Sequence, residues 1–140
     1  MARNELADVK ALAATTYPSS PAIDVLPLDV LDSSAQQAAY KSIIDKYKHI
    51  DVVVLNARRS QRSLAMDFDV DQTRDLFNLN FFSYVSTTKL VVPDMQKRKS
   101  GKIVVMSSLA GKMGVTVSSS YSATKFALHG YFAVSEVRDN

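Results

Sequence analysis

The segments GKIVVMSSLAGKMG (101–114) and SSYSATKFALHGYF (119–132) carry the reading on which the fold depends. Lys102 to Met106 is a short apolar run that ends at Ser107-Ser108, as a strand does where it gives way to a loop. Ser118 to Ser120 then offer N-caps to a helix bearing Tyr121 and Lys125. Strand, loop and helix in that order are the unit of an α/β fold, whose ligands bind outside the carboxyl ends of the strands. Ser108 stands at such an end.

Tyr121 and Lys125 are four residues apart, so on a helix phenol and ammonium share one face. A nearby cation favours the phenolate and is expected to pull the tyrosine below its ordinary pKa of ~10. A phenol tuned in this way passes a proton to or from a reacting oxygen near neutral pH. The Ser108 hydroxyl, thirteen residues before Tyr121, is expected to hold that oxygen. The set suits interconversion of an alcohol and a carbonyl. Taken alone, the Tyr–Lys spacing reads equally well as an exposed helical contact worth about 0.3 kcal/mol. The strand and serine that precede it favour a site.

Working outward, helix and strand signals alternate. Asn4 to Ala14 has helical spacing, Tyr17-Pro-Ser-Ser-Pro reads as a turn, and Ile23 to Asp29 as a strand. Ser33 and Gln36 predict a capping box opening a helix that runs to Lys48, with Ala39, Ile43 and Tyr47 inward. Asp51 to Leu55 is apolar and β-branched, as a buried parallel strand requires. Arg58 to Asp69 reads as a polar loop. The long helix from Gln72 to Met95 carries Asn80 and is expected to bend near Pro93. Leu76, Leu79, Phe82, Leu128 and Phe132 are expected core positions.

LPLDV (26–30), VVVLNA (52–57) and LFNLNFFSYVSTTKLVVPDM (76–95) precede the two segments quoted first. In that order and spacing, the chain resembles the short-chain dehydrogenases/reductases from Leu26 to its last residue. NARRSQRSLAMD (56–67) and GKM (111–113) make it most similar to the membrane-associated "member seven" branch. The resemblance implies an α/β chain with a partial doubly wound Rossmann fold: equivalents of strands 3, 4 and 5 with flanking helices. It implies that Tyr121 is the proton donor or acceptor, and that Lys125 lowers its pKa and bonds the ribose beside a nicotinamide. Ser108 would orient the substrate oxygen, and Asn80 would hold a water continuing the proton path. Asp29 and Val30 would border the adenine, and Asn56 and Ala57 would line the cofactor groove with Tyr121 and Lys125. The implied cofactor is NADP or NAD, with NADP favoured by the branch. The implied substrate is a small-molecule alcohol or carbonyl, lipid-like within that branch. A homodimer through 72–95 and 119–138, and a parent protein associated with the endoplasmic-reticulum membrane, are implied in the same way.

Two departures bear on activity. The family's NNAG motif reads Leu55-Asn56-Ala57-Arg58 here. Glycine serves where backbone approaches closely or takes positive φ, so Arg58 is expected to obstruct or strain the groove. No glycine precedes Gly101, so the chain holds no glycine-rich turn of the kind that brings backbone N–H groups onto a pyrophosphate. The expectation is a single incomplete NAD(P)-binding domain over 1–140, lacking the glycine-rich start and the C-terminal substrate loops, and catalytically impaired.

Composition narrows the classes. There is no cysteine, which removes disulfides and Cys-based metal sites. His49 and His129 lack partnered spacing, and no metal site is expected. No apolar run approaches the ~18 residues of a membrane span. The net charge of +3 is small and its clusters, Arg58-Arg59-Ser-Gln-Arg62 and Lys97-Arg98-Lys99, lack interleaved aromatics. Nucleic-acid binding is therefore not expected. The competing function is that of a non-catalytic piece pairing with a full-length homologue through the two long helices.

Overall fold

The computed structural model describes residues 11, 12, 15 and 23–134. Residues 11, 12 and 15 are helical; the rest of the expected Asn4–Ala14 helix and the turn after it lie outside the described residues.

The described elements are α1 (Ser33–Tyr47), β1 (Val52–Leu55), α2 (Val70–Phe77), a π-helical turn (Asn78–Phe82), α3 (Ser83–Arg98), β2 (Lys102–Val105) and α4 (Ser119–Val134). Single 3-10 turns form at Ala65–Asp67 and Leu109–Gly111. β1 and β2 pair in parallel, Val52 opposite Lys102 and Leu55 opposite Val105. The ladder extends one bond past each end, through Lys102 N–H to the Asp51 carbonyl and Met106 N–H to the Leu55 carbonyl.

The expected strand at Ile23–Asp29 does not form. Residues 23–29 carry no regular secondary structure, and among the described residues the sheet has two strands, the equivalents of 4 and 5. Among the described residues no strand lies beside this segment, and an extended segment without a neighbour has no ladder to join. Ile23, Leu26 and Leu28 are exposed accordingly.

One face of the sheet is packed. Val53, Leu55, Ile103 and Val105 lie against Tyr84 of α3 and Leu128 of α4, with Phe81 and Phe132 beside them. The opposite face, Val52, Val54, Val104 and Met106, is exposed, so β1 alternates instead of being buried on both sides. Leu76 and Leu128 are core residues as expected, whereas Phe82 is 54% exposed.

Helix starts are chemically explicit. The side chain of Asp32, not Ser33, caps α1 by accepting from Ser34 N–H and Ala35 N–H. Gln36 turns inward, and its amide donates to the Val30 carbonyl at 2.6 Å. Tyr47 is exposed and donates its hydroxyl to Asp24. α2 opens on a capping box between Asp69 and Gln72. The irregularity in the long helix lies at Asn78–Phe82, while α3 continues through Pro93. At the end of α3, Gly101 has φ +153, and a Cβ there would stand 2.4 Å from Met95 Cγ. Among the described residues, no helix is long and apolar enough to cross a membrane.

Candidate active site

β2 delivers Ser108 to the carboxyl edge of the sheet, where its hydroxyl accepts from Ala110 N–H at 3.2 Å and opens the 3-10 turn. That turn lies flush against α4. A Cβ on Gly111 would come within 2.9 Å of Ser107 Oγ and His129 Cδ2, and 3.0 Å of the Lys125 carbonyl. Glycine is therefore required there for the close approach. His129 is bonded rather than free, its Nε2 lying 2.9 Å from Ser107 Oγ. His49 faces Asp51 at 3.2 Å. Among the described residues no group of three His, Cys, Asp or Glu could hold a metal.

Tyr121 packs against Ala110 and Leu76 and is 8% exposed. Ala110 shares this buried cluster with Tyr121 and donates its N–H to Ser108, so the serine turn and α4 are neighbours. Lys125 is fully buried. Its Nζ donates to the Met106 carbonyl at 2.9 Å and lies 5.7 Å from the ring centroids of both Tyr121 and Tyr84. No carboxylate among the described residues pairs with it. Burial lowers its pKa from 10.5 to about 8, and the nearby Arg58 guanidinium pushes in the same direction. Burial raises the Tyr84 phenol, with Arg58 opposing and Tyr121 adding to the rise. The Tyr84 hydroxyl is buried without a hydrogen-bond partner.

Asn80 sits on the π turn, fully buried. Its Oδ1 accepts from Arg59 N–H at 3.0 Å, and its Nδ2 donates to the Arg59 carbonyl at 2.9 Å and to Thr124 Oγ1 at 3.2 Å. Both side-chain donors are thereby used within the fold. Asn56 and Ala57 are exposed just past β1, and so is Arg58. Arg58 is absent from the positive-φ residues Lys48, Lys99 and Val117. The expected backbone strain at position 58 does not occur, because its φ never enters the region that favours glycine.

Asp29 is exposed and caps its own turn, accepting from Leu31 N–H at 2.9 Å. Val30 lines an open groove of about 570 Å³ with Gln36, Arg59, Asn78, Leu79 and Ser83. This groove runs beside the Asn80 bracket but does not contain Ser108, Tyr121 or Lys125. α4 thus carries Tyr121 and Lys125 together, the Ser108 turn packs on that helix, and Asn80 reaches it through Thr124, while Val30 belongs to the separate groove. Three contributors escaped the sequence reading. Thr124 is signalled only by its helical spacing from Tyr121, Tyr84 by its place one turn beyond Asn80, and Gln61 by nothing periodic.

Ser118 to Ser120 were the expected caps for α4. Instead the Ser118 hydroxyl donates to the Gln61 carbonyl at 3.1 Å, and the Gln61 side chain accepts from Ser120 N–H and Tyr121 N–H. The cap is thus supplied from the loop after β1.

Residues 1–137 match the short chain dehydrogenase family. The mouse protein named "Dehydrogenase/reductase SDR family member 7" is 47% identical over 108 residues, covering 77% of this chain and 32% of that protein. The chain thus spans about a third of the length of this curated relative. A short-chain dehydrogenase from Streptomyces avermitilis superposes with a TM-score of 0.81 at 31% identity, over 93% of this chain and 46% of that one. A structure described as ElxO with NADP bound superposes at 0.79 with 27% identity, over 89% and 51%.

Proposed function

This chain belongs to the short-chain dehydrogenase family, and from that premise we propose that it serves NAD(P)-dependent interconversion of an alcohol and a carbonyl, with Tyr121 as the proton-transfer group. The observation that carries the reading is the meeting of Tyr121, Lys125 and the Ser108 turn at the carboxyl edge of a parallel sheet. Tyr121 gives or takes the proton at its phenolic oxygen. Lys125, 5.7 Å from the Tyr121 ring and with its own pKa lowered to about 8, is the cation beside that phenol in this reading. Ser108 orients the reacting oxygen from the neighbouring turn. Asn80 keeps the loop after β1 against α4, and in this reading its backbone on the π turn borders the water path. Ala110 and Leu76 exclude water from the ring of Tyr121.

The nicotinamide supplies or accepts the hydride, which no side chain here can do. The residues present fit that group in part. Val30 lines an open groove, and Asn56, Ala57 and Asp29 are exposed, so none of the four is walled off from the cofactor. Arg58 adds a second cation next to Lys125, and no glycine precedes Gly101. On these grounds we infer that the 140 residues alone bind the cofactor weakly and turn over slowly. NADP is preferred in this proposal, supported by the NADP named in one solved relative. A lipid-like carbonyl substrate and an endoplasmic-reticulum setting follow from the branch alone.

A second reading is pairing of two copies through α2–α3 and α4, helices that the edge-to-face rings Phe77–Phe81–Tyr131–Phe132 already hold together within one chain. Phe82, edge-to-face with Phe81, is exposed, and so is Phe126 on α4.

The test is deuteride transfer. Purified protein is incubated with 4-deuterated NADPH or NADH and a panel of lipid-like carbonyls, and products are analysed by mass spectrometry. Deuterium in an alcohol product, formed only with intact Tyr121, is the expected result. Unlabelled or absent product at high protein concentration would contradict it.

A further inference from the structure

Gln61 is 4% exposed, yet the chemistry proposed for the site makes no use of it. Its Oε1 accepts from Ser120 N–H at 3.1 Å and Tyr121 N–H at 3.3 Å. These are first-turn donors of α4, which have no acceptor within their own helix. Its Nε2 donates to the Ser63 carbonyl at 3.0 Å and to Ser63 Oγ at 3.1 Å. Its own carbonyl accepts the Ser118 hydroxyl at 3.1 Å, and Ser63 N–H donates to the Val117 carbonyl at 3.0 Å.

Those bonds hold a costly turn. Val117 has φ 54, a left-handed conformation that a β-branched residue keeps only when its surroundings impose it. The other backbone group of Tyr121 is tied as well. Its carbonyl accepts the Thr124 hydroxyl at 2.7 Å, Thr124 accepts from Asn80 at 3.2 Å, and Asn80 brackets the backbone of Arg59. The N–H of Tyr121 thus reaches the 59–63 segment through Gln61, and its carbonyl reaches the same segment through Thr124 and Asn80.

We propose that Gln61 is the positioning residue of Tyr121: it fixes the first turn of α4 from the loop after β1 and couples that loop to the phenol. The inference rests on Tyr121 being the proton-transfer group, but the bond network it invokes can be tested without turnover. A ligand that orders residues 56–59 would act on Tyr121 through both routes.

Two variants of the 140-residue chain separate the roles. Gln61→Met keeps the approximate volume and removes both polar atoms, whereas Gln61→Glu keeps the acceptor. The measurements are amide exchange at Ser120, Tyr121 and Leu128, and nuclear Overhauser contacts from the Tyr121 ring to Ala110 and Leu76. In Gln61→Met, exchange at Ser120 and Tyr121 should quicken about tenfold, as loss of one hydrogen bond implies, with Leu128 unchanged and the ring contacts weakened. Gln61→Glu has no donor for the Ser63 carbonyl but keeps the acceptor for α4, so it should restore the Ser120 and Tyr121 protection and the ring contacts. Wild-type exchange and contacts in Gln61→Met, or equal acceleration at Leu128, would overturn the proposal. If Gln61→Met does not fold, Gln61→Glu decides: retained ring contacts support the proposal and lost contacts refute it. Tyr121→Phe assayed for turnover in parallel keeps the two claims apart, since retained turnover there refutes the chemistry and leaves the positioning result standing.

Discussion

The ammonium of Lys125 donates to the carbonyl of Met106 at 2.9 Å, fastening the helix of Tyr121 to the residue that follows β2. This buried cation has no carboxylate partner among the described residues, and its pKa falls from 10.5 to about 8. Between those values the unfolded chain binds more protons than the folded one, so stability rises with pH there. The cost of burying the charge is fully present below pH 8. Lys125→Met removes this dependence. Its stability relative to wild type should be greatest at pH 7 and shrink by roughly 3 kcal/mol toward pH 10.5. Urea titrations at pH 7, 9 and 10.5 measure the gap, and a constant gap would contradict the assignment.

Arg58 is the second cause of the lowered lysine pKa, after burial. Arg58→Gly should move the Lys125 midpoint upward while leaving it below 10.5, as a carbon-13 titration of the lysine Cε would report. The same variant should tighten NADPH binding, measured by cofactor fluorescence. An unchanged Kd would show that the arginine does not obstruct the groove.

Asn80 makes three hydrogen bonds from a fully buried position. Asn80→Ala removes two part-buried bonds to the Arg59 backbone and the buried bond to Thr124, at a cost of about 2–3 kcal/mol. Chemical denaturation checks the value, and a loss below about 1 kcal/mol would mean that water replaces the amide readily.

At Gly101 the conformation and the space agree. Its φ is +153 and Met95 fills the position of any Cβ. Gly101→Ala should destabilise the chain by about 2–3 kcal/mol, the combined cost of backbone strain and overpacking. Thermal melts would show it.

Much of this arrangement is legible in the chain order. The apolar runs at 52–55 and 102–105 announce neighbouring strands, and the four-residue spacing of Tyr121 and Lys125 announces a shared helical face. The Asp69–Gln72 capping box is plain too, although the polar-loop reading stopped short of using it. Other features depend on contacts far apart in sequence. Residues 23–29 have strand composition but no neighbouring strand among the described residues, so propensity alone does not make a strand there. Gln61 lies sixty positions before Tyr121 in a segment with no periodic pattern, and only folding shows that its amide replaces the serines as the helix cap. The π turn at Asn78–Phe82 leaves the hydrophobic spacing on either side intact, so the expected bend was assigned to Pro93.

The central claim is that Tyr121 moves the proton in a nicotinamide-dependent reaction. Its most direct test is single-turnover kinetics of wild type and Tyr121→Phe at saturating NADPH, with one reactive carbonyl and cofactor affinity measured alongside. The account predicts a rate lower by about 10²–10⁴-fold in Tyr121→Phe, with the NADPH Kd unchanged. Equal rates in the two proteins, or no reaction in wild type with cofactor bound, would contradict it.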